Sequence, residues 1–278
     1  MADGADALIE TVRAADRDRY LALLYAPEAS RPALAALYAF DAEIASVRDR
    51  ISMPLPGEIR LEWWREVVSG VRPPDGHPVA VSLLAAISAH GLPVAPFEAM
   101  LEARIFDLYD DPMPSRTDLE GYCGETASAV IQLASMVLDR DAAPAFTGLA
   151  GHAGCAQGIA GLLARLLVHR ARRQCYVPRD LLEAAGTDPD GFLSGAEEDA
   201  AARAVAAMAA LGRQHQRTFA DGGARLPRAL RPAYLPLAPA DALLERIERR
   251  PAAALAAPAR LPEWRRHWLM VRRASRGW

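Results

Sequence analysis

Apolar residues recur along most of this chain at spacings of three and four, which marks helices that bury one face. Leu34, Leu37, Tyr38, Ile44 and Val47 follow that spacing, as do Leu243, Leu244 and Ile247. The runs between are rich in Ala, Leu, Glu and Arg, all strong helix formers. Breaks rich in Pro and Gly fall at 53–57, 71–78, 91–96, 110–114, 186–195, 221–239 and 251–262. Alternations of Val, Ile, Thr and Tyr that would mark strands are almost absent. The pattern predicts an all-α protein of about ten helices. No composition shift or long polar linker divides it, so one domain is expected over 1–278, with residues 1–17 poorly ordered.

The last helix is the most amphipathic. Leu261, Trp264, Trp268 and Val271 fall at i, i+3, i+7 and i+10, while Arg265, Arg266, Arg272, Arg273 and Arg276 lie elsewhere around it. The favoured reading docks this helix on the core through its two tryptophans, with a solvated basic face. The other makes it a peripheral membrane contact.

Composition narrows the function. The 278 residues are 51% hydrophobic and carry a net charge of -3, enough for a sizeable core and unsuited to nucleic-acid binding. There is no lysine, so every basic charge is an arginine and no Schiff base can form. Cys123, Cys155 and Cys175 form no C-x-x-C pair and read as small buried hydrophobes in a reducing compartment. Five acidic residues against two arginines over Met1–Asp18 rule out a signal peptide there. The most apolar windows, 126–138 and 158–168, are shorter than the ~20 residues of a bilayer span. A cytoplasmic protein is expected, in reach of the inner face of the membrane through its basic last helix. Hydrolase, kinase and dinucleotide fingerprints are missing.

Two stretches carry chemistry. The first runs Leu37-Tyr-Ala-Phe-Asp-Ala-Glu-Ile-Ala-Ser-Val-Arg-Asp49, followed by Gly57-Glu-Ile-Arg-Leu-Glu-Trp-Trp-Arg-Glu-Val67. The second runs Cys155-Ala-Gln-Gly-Ile through Arg165, His169 and Arg172-Arg-Gln-Cys-Tyr-Val-Pro178. Together with Asp107 and Asp118–Ser128, they resemble the squalene/phytoene synthase family over nearly the whole chain. The resemblance implies an isoprenoid-synthase helical fold around a central cavity. In that family two aspartate-rich helices face each other and bind prenyl diphosphates through Mg²⁺, a hard cation that prefers carboxylate oxygens.

On that template the first box should carry aspartates at 45, 46 and 49. This chain has Ala45, Ser46 and Asp49. The second should carry Asn and two aspartates at 161, 165 and 169, where Gly161, Arg165 and His169 stand. Like charges at ~4 Å repel by about 1 kcal/mol even in water, and a dication facing a guanidinium suffers more. The spellings Glu125-Thr-Ala-Ser128, Ala156-Gln-Gly-Ile159 and His169-Arg-Ala-Arg-Arg173 resemble a degenerate branch. That branch contains assembly factors of mitochondrial respiratory complex I and their proteobacterial relatives.

The cavity and diphosphate candidates are therefore Asp41, Asp49, Asp107, Arg165, His169, Arg172, Arg173 and Tyr176. Lone Asp49 is either a relic of the box or a partner for Arg165 across the cavity. No metal set is expected, Asp49 being the one carboxylate left as a candidate. Arg165 and His169 read either as a solvated helix face or as a cationic lining for an anion. Arg172 and Arg173 also suit the charge at a helix C-terminus. Glu43 and Arg48 read as a solvated face, Tyr38 and Phe40 as packing, and at least one of Trp63 and Trp64 as core.

Three functions follow. The first is a non-catalytic binding or assembly protein for a respiratory-complex subunit, needing no cofactor. The second is a Mg²⁺-dependent prenyltransferase joining two prenyl diphosphates head to head. The third is a carrier with an isoprenoid or other lipid in its cavity.

Overall fold

In the computed structural model, which describes residues 2–278, the chain is helical with no strand among the described residues. The N-terminal half contains α1 (Ala2–Ala15), α2 (Arg17–Tyr25), α3 (Arg31–Ala45), α4 (Pro54–Val68), α5 (Pro78–His90), α6 (Ala95–Ile105), α7 (Arg116–Cys123) and α8 (Ala129–Leu138). The second half contains α9 (Thr147–Ala164), α10 (Leu166–Ala171), α11 (Arg179–Ala185), α12 (Pro189–Ser194), α13 (Glu198–Gly223), α14 (Arg231–Tyr234), α15 (Leu237–Arg249), α16 (Pro251–Ala256) and α17 (Glu263–Arg276). These seventeen exceed the ten or so expected. Several long runs are cut into short helices by caps and by prolines at first turns, as in α12, α14 and α16.

The run Leu34–Phe40 is buried without interruption, so α3 is covered on all sides and forms the centre of the domain. Phe40 meets Trp64 of α4 at 5.0 Å and Phe97 of α6 at 5.6 Å between ring centroids, both edge to face. Trp64 is fully buried and Trp63 half-buried, as their adjacency demands. All three cysteines are buried and free.

Between α7 and α8 the helix takes one π turn, Gly124–Ser128. Such turns are rare inserts in an α-helix, and this one has a close neighbour. Here it is α9: a Cβ on Gly154 would lie 2.2 Å from the Ser128 Oγ, and one on Gly158 would lie 2.7 Å from the Cys123 Sγ. Only glycine permits that approach.

α1 buries Leu8 and Val12 against the core (Met1 lies outside the described residues). One expectation is corrected. The tryptophans of α17 do not dock it. Trp264 and Trp268 are 71% and 55% exposed. The helix is held by Met270, packed with Leu21, Ala22 and Leu235, and by Arg266, which donates to Asp18 at 2.6 and 2.9 Å.

Candidate functional site

The end of α3, the second half of α9, α10, the start of α15 and residues 259–266 enclose a cavity of about 650 Å³. That is ample for one prenyl-sized ligand. Its inner wall includes Ala160, Leu162, Ala164, Pro239, Leu243 and Leu261. Polar groups gather in two tiers, one buried and one at the mouth.

The buried tier is a chain of alternating charge. Asp41 projects from α3 and is 5% exposed. It accepts from Arg19 of α2 and from Arg104 of α6, the latter at 3.4 Å. Arg104 also donates to Asp107 at 3.1 Å and to the Tyr122 hydroxyl at 2.7 Å. Asp107 in turn accepts from Tyr122 at 2.9 Å and from Tyr176 at 2.6 Å. Burial pushes the Asp41 carboxyl up, but the two guanidiniums outweigh it and hold the group below its ordinary value. Burial and the adjacent Asp107 carboxylate push the Tyr176 hydroxyl far up, so it stays a donor.

At the mouth, α9 ends at Ala164 and α10 begins at Leu166, leaving Arg165 at the break with φ -99° and ψ 9°. Arg165 lies within the apolar window 158–168. The break carries its side chain outward, where it donates to both oxygens of Asp49 at 2.9 and 3.0 Å. Arg172, at the end of α10, donates to the same carboxylate. Burial works against the ionised form of Asp49, yet these hydrogen bonds and charges keep its carboxyl below the ordinary range. The position that would offer Mg²⁺ a ligand is thus occupied by two guanidiniums.

His169 is buried behind them, its ring 4.6 Å from that of Tyr176. Burial, reinforced by Arg165 and Arg172 and opposed only by Asp49, pushes its pKa down to about 4. A histidine whose folded value is depressed contributes no proton uptake until the pH approaches that value. Its effect on stability is therefore complete above the ordinary value of 6.5 and declines as pH falls toward 4. An NMR titration of the imidazole should show no protonation between pH 8 and pH 6; a midpoint near 6.5 would contradict this burial.

Of the residues singled out from sequence, Asp41, Asp49, Asp107, Arg165, His169, Arg172 and Tyr176 line the cavity. Arg173 does not. It adopts φ +60° where the chain turns out of α10 and points at exposed Asp190, 3.5 Å away. Arg19, Arg104, Tyr122 and Gln174 were missed, although Arg104 stands one helical turn before Asp107. Gln174 donates to the Asp107 carbonyl at 2.8 Å and so fixes the turn that carries Tyr176.

Five aspartates line the cavity: Asp16, Asp18, Asp41, Asp49 and Asp107. They do not converge. Asp16 faces Arg19, Asp18 faces Arg266, and the other three are bound as described. Among the described residues no three His, Cys, Asp or Glu side chains come together to hold a metal ion. A bridging Mg²⁺ would have to compete with an arginine at each carboxylate, so this donor set does not fit it.

The squalene/phytoene synthase model matches residues 12–272, and the chain belongs to that family. It is 30% identical over 247 residues to "NADH dehydrogenase (ubiquinone) complex I, assembly factor 6" of Rattus norvegicus, covering 87% of this chain and 73% of the relative. It is 26% identical over 171 residues to the presqualene diphosphate synthase of Sinorhizobium fredii, covering 60% of each. The crystal structure of a dehydrosqualene synthase in complex with ligand superposes with a TM-score of 0.78 at 20% identity, covering 97% of this chain and 95% of that one. The likeness fixes the fold as the terpenoid-synthase type.

Proposed function

We propose that this protein is a non-catalytic member of its family that acts in the assembly of respiratory complex I. Its cavity would hold a prenyl-type lipid, with the tail against the apolar wall and the anionic head at the arginines of the mouth, without metal. One observation carries this reading: Asp49, at the place of the family's metal ligands, is held by Arg165 and Arg172. The relationship to the complex I assembly factor supplies the biological role. A strain lacking the protein should lose assembled complex I on a native gel and regain it with the wild-type chain. Normal complex I levels in that strain would sink the proposal.

A second reading, Mg²⁺-dependent head-to-head prenyl transfer, is favoured by the presqualene diphosphate synthase relative. Release of diphosphate from farnesyl diphosphate by the purified protein with Mg²⁺ would establish it in place of the first.

A further inference from the structure

The last helix leaves one face uncovered. Trp264, Trp268 and Val271 are 71%, 55% and 50% exposed, and their spacing of four and three puts them in one stripe. Met270 and Arg266, on the opposite side, tie the helix to the core. At 100° per residue, Arg265, Arg272 and Arg276 fall together along one flank of the stripe. Among the described residues none of the three has a carboxylate partner, and the Arg272 guanidinium lies over the Trp268 ring, 5.3 Å from its centroid.

Beside this helix, a groove of about 240 Å³ is lined by Tyr25, Arg228, Arg231, Pro232, Ala274 and Ser275. Its two arginines also have no carboxylate partner among the described residues, and the Nε of Arg231 is buried without a hydrogen bond. Five unneutralised guanidiniums and two bare indoles thus surround one helix of a chain whose net charge is -3. The positive charge is local. No helix of the described chain is long and apolar enough to cross a membrane, so this face can lie on a bilayer without entering it.

We infer that α17 docks on an anionic phospholipid surface. Indole combines a flat apolar body with one polar N–H, which suits the boundary between acyl chains and headgroups. Guanidinium forks match phosphate oxygens, and a charged flank beside a narrow apolar stripe is the arrangement of helices that lie in the interfacial plane. Arg260 and Leu261, just before α17, and Arg266, on its core side, line the cavity, so docking would bring the lipid to the outer face of a helix that borders the cavity.

The test is co-sedimentation of the full chain with vesicles of phosphatidylcholine alone, or containing about a third phosphatidylglycerol. Binding is expected only to the anionic vesicles and should weaken as salt rises. Each arginine at such a surface contributes about fivefold, so the triple change R265Q/R272Q/R276Q should weaken binding about a hundredfold. W264A/W268A should weaken it about tenfold or more, with an unchanged circular-dichroism spectrum because both rings are exposed. Removing the same charge elsewhere, as R72Q/R140Q/R179Q, should change binding by no more than about twofold. Pelleting with neither vesicle, equal pelleting with both, or equal losses in the two arginine triples would each overturn the inference. The first of these would leave the face to a protein partner.

Discussion

Replacing Asp41 with alanine is expected to lower stability by about 3–5 kcal/mol, the usual cost of stripping the partner from a buried ion pair. For a chain of this size that is a fall in melting temperature of roughly 10 °C. Arg104 keeps Asp107 and Tyr122 after the change, so most of the cost falls on Arg19, left with only Asp16 at 3.6 Å. Asp41→Asn should cost less, because its amide oxygen still accepts one hydrogen bond. The effect also depends on pH. The folded carboxyl titrates below its ordinary 3.8, so the unfolded chain takes up its proton first as pH falls. The stabilisation is complete above that ordinary value and is lost as pH drops through the folded one. Urea melts of wild type and Asp41→Ala should therefore differ widely at pH 7 and converge in strong acid. A gap that does not change with pH would refute this account.

The second large effect has an unexpected sign. Asp49→Ala should tighten metal-free binding of farnesyl diphosphate by about tenfold, because Arg165 and Arg172 then have no internal carboxylate to satisfy. In a Mg²⁺-dependent enzyme the same change would remove a ligand and weaken binding. Stability should shift by less than about 1 kcal/mol, since all three side chains are partly open to water. Calorimetric titration of wild type and variant, with and without Mg²⁺, separates the cases. Weaker binding by the variant, or binding only with the metal present, would defeat the metal-free reading.

The all-helical class was legible because the apolar spacing of α3 and α15 persists for several turns. The boxes at 45–49 and 161–169 could be placed because their flanking spellings survive, Leu37-Tyr-Ala-Phe40 before one and Ala156-Gln-Gly-Ile159 before the other. The ion pair of Asp49 with Arg165 was among the alternatives open to the sequence. The buried tier was not visible. Arg19 reaches Asp41 across twenty-two positions and Tyr176 reaches Asp107 across sixty-nine, and no local pattern encodes such contacts. The stripe of α17 misled for a related reason: amphipathic spacing shows that a helix has two faces, without showing which of them the core covers.

The π turn has a consequence for what the cavity can accommodate. Where Gly154 and Gly158 press on residues 123–128, backbone and side chains already touch, and a close-packed wall of this kind cannot recede. The cavity lining also includes Pro236 before α15, Pro239 in its first turn and residues 259–261 of the coil after α16. With the lipid proposed above in the cavity, a longer hydrocarbon tail would have to displace this part of the lining, which would then limit tail length while the arginines at the entrance would meet the charged head.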